Sequence, residues 1–420
     1  IASGTISLMV FTILSKLLGF VREMILAANF GANWRLDALI VAMDPPMQIG
    51  GMISSAVASM MIPIYLGEKA KNNPELTKKY TSQILFFSSF LLLIFGLILS
   101  LFSNSLIKVF APNFNAAETA YAVRKMQLIG FIPLIQGFNS LASSVIKAEK
   151  RYLLASVVQV FYNLIAIPVI LMFSPILSES SYLLAFILGT LAMNVIHLVI
   201  IRKSLSFKDM FNFSQYHKVF ETLRLAFPLI FSGSLGVVYN IIDKAFASYL
   251  EEGSISSIRY AQTINSMITS IIIGSLLTTV FTELVGINLK KDQEAVERRL
   301  KKTSGDIFNL SIPLTAWLIL MSQYIITILF QRGNFTNETS IAVSGAFSGY
   351  MISFLITPIN LLISRLFESN KKTSIFFFIA IFNVLLNVLF NALLIKPFGI
   401  MGLALSSSLV SFCQFIIYYI

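Results

Sequence analysis

Apolar runs of about 20 or more residues, the length a bilayer crossing needs, alternate along the chain with short polar breaks rich in lysine. The pattern predicts apolar helices near 5–32, 36–66, 82–108, 119–146, 152–174 and 181–201. Six more are expected near 220–250, 254–287, 303–330, 340–367, 374–395 and 399–420. Several are longer than a hydrocarbon core requires, which implies tilt or projection beyond it. The expected fold is all-α: a polytopic membrane protein of about twelve transmembrane helices.

Composition agrees. The 420 residues are 56% hydrophobic and 12% charged, where a soluble domain carries roughly 25% charged residues. Cys413 is the single cysteine, which excludes a disulfide framework and a cysteine-based metal site. His197 falls late in an apolar helix and reads as a packed residue, and His217 belongs to a polar linker. No zinc motif, P-loop or G-x-S-x-G elbow is present, so an enzyme is not expected.

The net charge of +11 gains meaning from its placement. Five alternate loops hold 19 basic residues, among them Lys69, Lys78, Lys147, Lys203, Lys290 and Lys371, whereas the other six hold four (Arg35, Lys108, Arg332 and Lys396). The positive-inside rule puts the rich set, and with it both ends of the chain, in the cytoplasm. Contact with anionic lipid headgroups accounts for the remaining charge, and nucleic acid is not an expected partner. EKAKNNPELTKK reads as a solvated loop and KKDQEAVERRLKK as a short surface helix. The first residue is Ile and the last span runs into the final residue, so the chain is expected to be trimmed at both ends.

The two halves resemble each other at an offset near 220 residues. IKVFAPNFNAAETA answers ITILFQRGNFTNETS, GFNSLASSVIKAEKRY answers PINLLISRLFESNKKT, and VFYNL answers IFNVL. An even number of spans per half implies a parallel repeat about an axis along the membrane normal. Two six-helix lobes, 1–203 and 220–420, joined by a cytoplasmic linker at 204–219, are therefore expected around a central cavity. A monomer suffices for such a cavity.

Ionisable groups inside spans are costly and mark functional positions. Lys16 and Glu23 share a face of the first span, with Arg22 about 100° from Glu23. Lys16, Arg22 and Arg35 face Glu23 and Asp37 as either a cluster for an anionic, phosphate-bearing substrate or an ion-pair network that joins spans one and two. Pro45, Pro46, Gly50 and Gly51 interrupt the second span as a hinge or a static kink. In the second half, Lys244 adjoins Asp243. Asp243, Asn387, Asn391 and Ser407 offer oxygen ligands suited to Na⁺, or simply interhelical hydrogen bonds. No other cofactor is implied.

SKLLGFVRE followed by FGANWRLDALIVA, with APNF, IKAEKRY, LFQRGNF and FGIMGLALSSSL further on, resembles the MurJ/MviN family of the multidrug/oligosaccharidyl-lipid/polysaccharide exporter superfamily. The resemblance covers essentially the whole chain. It implies an inner-membrane flippase for lipid II, the undecaprenyl-pyrophosphate-linked peptidoglycan precursor, working by alternating access. The family's cationic positions map onto Lys16 and Arg22, its acidic position onto Asp37, and its cation site onto Asp243, Asn387, Asn391 and Ser407. Two departures remove positive charge: PPMQIGGMISSAVAS stands where the family has an arginine-rich P-N-x-x-R-R segment, and YAQTI lacks the arginine expected after YA. A flippase for another polyprenyl-linked oligosaccharide, a drug/cation antiporter and a non-transporting cell-wall scaffold stay open as alternatives.

Overall fold

Local chemistry starts and stops the helices. Asn73 accepts a hydrogen bond from the Leu76 amide, and Pro74 fills the first helical position, where its missing N–H costs nothing. Asn115 and Glu118 form a reciprocal capping box, and Thr336 caps the corresponding later helix through the Thr339 amide. The computed structural model describes residues 2–71, 73–211, 215–270, 293–369 and 373–419.

The first half comprises α1 (Ala2–Phe30), α2 (Trp34–Ala70), α3 (Pro74–Leu101), α4 (Ser103–Phe110), α5 (Ala116–Leu128), α6 (Ile132–Ala148), α7 (Tyr152–Leu177) and α8 (Ser180–Ile201). After two 3₁₀ turns come α9 (Tyr216–Ala247), α10 (254–270), α11 (Gln293–Leu320), α12 (Ser322–Phe330), α13 (Asn337–Ser353), α14 (Thr357–Ser369) and α15 (Thr373–Tyr419). No strand occurs among the described residues. The succession repeats down to its bends: α5 meets α6 at 48° and α13 meets α14 at 47°.

The chain is a multi-pass membrane protein. Among the described residues, five helices are long and apolar enough to cross a membrane, or up to nine if each bent pair is one span. Large apolar side chains point outward, Leu101, Met172 and Ile328 among them, as suits a surface solvated by lipid.

Several expected boundaries move. The runs 82–108, 119–146, 303–330 and 340–367 are each two helices, broken at Phe102, at 129–131, at Met321 and at 354–356. EKAKNNPELTKK is largely the end of α2 and the start of α3, because the Asn73 cap begins a new helix. The charged 293–302 segment is the first part of the long α11 instead of a separate surface helix. α15 carries both final runs across a kink at Gly399. The second part of the 254–287 run, with Lys290 and Lys371, lies outside the described residues.

Two compact units emerge. Unit 1 is Ile1–Leu26 with Trp34–Val237, and unit 2 is Ala27–Asn33 with Val238–Ile420. The division falls inside α9 because its first part packs with α2 and α3: Lys218 pairs with Glu68 at 2.6 Å, and the Tyr80 and Thr222 hydroxyls lie 2.8 Å apart. Within unit 1, α2 packs most extensively on α6 and α7 on α8. Within unit 2, Tyr260, Phe330 and Phe335 form a buried aromatic cluster with ring centroids 5.6 Å apart.

Unit 2 takes in the α1–α2 turn through its backbone. The Asn334 amide donates to Ala28 O at 2.8 Å, and the Tyr260 hydroxyl donates to Gly31 O at 2.9 Å. Gly31 and Gly333 have φ of +63° and +59°, a region costly for any residue with a Cβ.

Candidate functional site

In unit 1, side chains of α1, α6 and α7 line an open cleft of about 320 Å³, within the size range of small-ligand clefts. Its wall carries Lys16 from α1 and Lys147 from α6, with Ser15, Ser143, Ser156 and Gln159 between them. No carboxylate lines it among the described residues. Two ammonium groups with hydroxyl and amide donors form a set complementary to a phosphate or pyrophosphate.

Arg22 is placed differently. It pairs with Glu23 at 2.8 Å, with side-chain exposures of 16% and 5%. It also donates to Asn163 Oδ1 at 3.3 Å and lies 5.2 Å from the Tyr162 ring centroid. Asn163 in turn donates to Ser15 O at 3.1 Å, so one buried amide ties α7 to α1 at two points. Arg22 is thus held inside an ion-pair and amide network one and a half turns along α1 from Lys16.

Arg35 is exposed and lies over the Trp34 ring at 5.4 Å. Asp37 is buried in the first turn of α2, where a carboxylate complements the helix dipole. Glu23 is the carboxylate that Arg22 takes.

Pro45 and Pro46 do not interrupt α2, which runs unbroken from Trp34 to Ala70. Helix packing holds the backbone through the freed carbonyls, as membrane helices allow. At Gly50 a Cβ would sit 2.9 Å from Pro133 on α6, whereas at Gly51 it would meet nothing within 4 Å. Gly50 therefore serves close helix approach.

In unit 2, the Asp243 carboxylate on α9 accepts from the side-chain amides of Asn387 and Asn391, each at 2.9 Å. All three residues are buried. The Ser407 hydroxyl donates to Leu403 O on its own helix at 3.4 Å, while Asn391 Oδ1 has no hydrogen-bond partner among the described residues. The amides present nitrogen to Asp243 in this arrangement, so cation ligation requires turning them to present oxygen. Asn383, one turn earlier, bonds Gln414 at 3.2 Å. Lys244 occupies the last turn of α9, half-buried. Among the described residues no group of three His, Cys, Asp or Glu side chains forms a metal set.

Sequence reasoning missed Lys147 and Asn163. Lys147 read as a topology-setting loop charge, and nothing in its neighbours links it to Lys16. Asn163 lies in VFYNL, one of the repeated segments, which is the one signal that could have found it.

The family model described as lipid II flippase MurJ matches residues 26–420. A probable lipid II flippase MurJ from Buchnera aphidicola subsp. Acyrthosiphon pisum is 29% identical, over 98% of this chain and 82% of that protein. A solved lipid II flippase MurJ in an inward closed conformation superposes with a TM-score of 0.82 at 20% identity, covering 98% of this chain and 86% of that one. An inward-facing multidrug resistance transporter of the MATE family gives 0.80 at 12% identity, over 99% and 96%. At these identities the structures establish a shared fold, and the match to the family model establishes membership: the chain belongs to the lipid II flippase MurJ family.

Proposed function

We propose that this protein moves lipid II across the bacterial inner membrane by alternating access, with the basic loops on the cytoplasmic side. The observation that carries the reading is the cavity bearing Lys16 and Lys147 without a carboxylate, on a chain matched to this family over residues 26–420. Lys16 and Lys147 grip the pyrophosphate, and the neighbouring hydroxyls complete its hydrogen bonds. Arg22 receives the substrate when it exchanges Glu23 for phosphate oxygens; Arg35 and Asp37 of unit 1, and Lys244 of unit 2, are the further charged groups assigned to the substrate. Pro45, Pro46, Gly50 and Gly51 let α2 flex between states, and the protein works as a monomer. Na⁺ binds Asp243, Asn387, Asn391 and Ser407 with the two amides turned, biasing the alternation.

One observation favours a second reading, a different polyprenyl-linked glycan. The stretch PPMQIGGMISSAVAS is uncharged and supplies no further cation for the pyrophosphate. The test is complementation of a strain depleted of its lipid II flippase, with membrane expression verified. Rescue by the wild type and loss of rescue in a Lys16→Gln/Lys147→Gln variant is the expected outcome. Failure of a well-expressed wild type overturns lipid II as the substrate and leaves the second reading.

A further inference from the structure

A second cavity of unit 1, about 310 Å³, lies where the lysine-rich breaks after α2, α6 and α8 converge. Its wall takes Lys69 from α2, Lys78 from α3 and Lys203 from the 3₁₀ turn after α8. Among the described residues none of these lysines has a carboxylate within ion-pair distance, and Lys69 lies 5.9 Å from the Tyr65 ring. The one acid in the wall is Glu149, and it is already engaged. The Tyr65 hydroxyl donates to it at 2.9 Å, the Ser204 hydroxyl at 3.1 Å, and Arg151 lies 3.7 Å away. Three lysines share the wall with one glutamate that Arg151 already takes, so the wall is net positive. The N-terminus of α3 opens on the same cavity through Asn73, Pro74 and Thr77, and a helix start favours an anion.

The surroundings select the kind of anion. One turn before Lys69, Leu66 is exposed, and one turn before Lys203, Val199 is exposed. The helices that end in this basic pocket therefore present apolar side chains one turn from its lysines, the arrangement that a mouth at headgroup depth requires. A soluble anion would satisfy the lysines but not the adjoining apolar surface; a molecule with an anionic head and an acyl tail satisfies both.

We propose that this cavity is a binding site for the phosphate of an anionic membrane phospholipid, separate from the Lys16–Lys147 cavity and independent of which glycan-lipid the protein moves. Each lysine held near an anionic membrane surface strengthens association by about fivefold.

The test is native mass spectrometry of the full chain, purified in detergent and exposed to phosphatidylglycerol or phosphatidylcholine. The wild type should retain phosphatidylglycerol preferentially. Lys69→Gln/Lys78→Gln/Lys203→Gln should reduce that retention about tenfold or more, with phosphatidylcholine unaffected and the exposed pair Lys301→Gln/Lys302→Gln behaving as wild type. Lys78→Gln alone, at an exposed residue, gives the same reading at about fivefold should the triple variant lose its fold. Equal retention of both lipids, or undiminished phosphatidylglycerol retention in the variants, overturns the proposal. Displacement of the lipid by millimolar inorganic phosphate also overturns it, by showing a site for free phosphate.

Discussion

Whether Arg22 serves the substrate or only joins α1 to α7 can be decided by separating charge from fold. In Glu23→Ala the guanidinium, whose side chain is 16% exposed, loses its carboxylate 2.8 Å away and keeps only Asn163 Oδ1 and the Tyr162 ring. Removing one partner of a buried pair costs about 3–5 kcal/mol. The two remaining contacts point to the lower end, about 3 kcal/mol. Replacing both charges, as Arg22→Met/Glu23→Leu, leaves no stranded ion and should restore most of that loss. Thermal unfolding of the detergent-purified variants measures the pattern, and complementation of a flippase-depleted strain reads function alongside it. A double variant as stable as the wild type that fails to complement assigns the Arg22 charge to the substrate. A stable double variant that complements refutes that role and leaves a structural pair. If Glu23→Ala proves no less stable than the double variant, the reasoning from burial is itself wrong.

Three further outcomes follow from the geometry. Lys16→Gln and Lys147→Gln should each weaken lipid II binding by about tenfold or more, the worth of one charge-assisted contact; wild-type affinity in both variants counts against the cavity as the grip. For the Asp243 cluster, Na⁺ at a hundredfold over its dissociation constant should stabilise the wild type by about 2.7 kcal/mol and leave Asp243→Asn unmoved. Equal thermal response of the two to NaCl over KCl excludes a cation there. Gly31→Ala places a Cβ 2.3 Å from Asn334 O at φ +63°, so it should destabilise by more than the about 1–2 kcal/mol of the backbone conformation alone. Gly51→Ala, open on all sides, should gain about 0.5–1 kcal/mol of helix propensity; a similar loss in both means the turn is not tightly packed.

Features that depend on neighbours in sequence were legible. The segments around Asn115 and Thr336 stood out as a repeat because capping chemistry is local and both halves use it. The spacing of Asn387 and Asn391 placed them on one helix face, and they meet Asp243. Features decided by packing were not. Phe102 and Met321 break helices amid apolar residues without a proline or glycine to announce it. Conversely, Pro45 and Pro46 announce a break that α2 does not make. Lys147 joins Lys16 across more than a hundred residues, a proximity that only the assembly of α1, α6 and α7 creates.

The absence of acid, among the described residues, from the Lys16–Lys147 wall carries a consequence for the resting protein. Two like charges lining one open cleft are balanced by mobile anions drawn from solution. On the proposed function, capture of a pyrophosphate there would be an exchange reaction, in which those counterions are expelled as the cargo enters. Ionic strength sets the strength of that exchange as much as the lysines do. Large, weakly hydrated anions would then compete for the two lysines, and a cationic amphiphile would be repelled before it could enter.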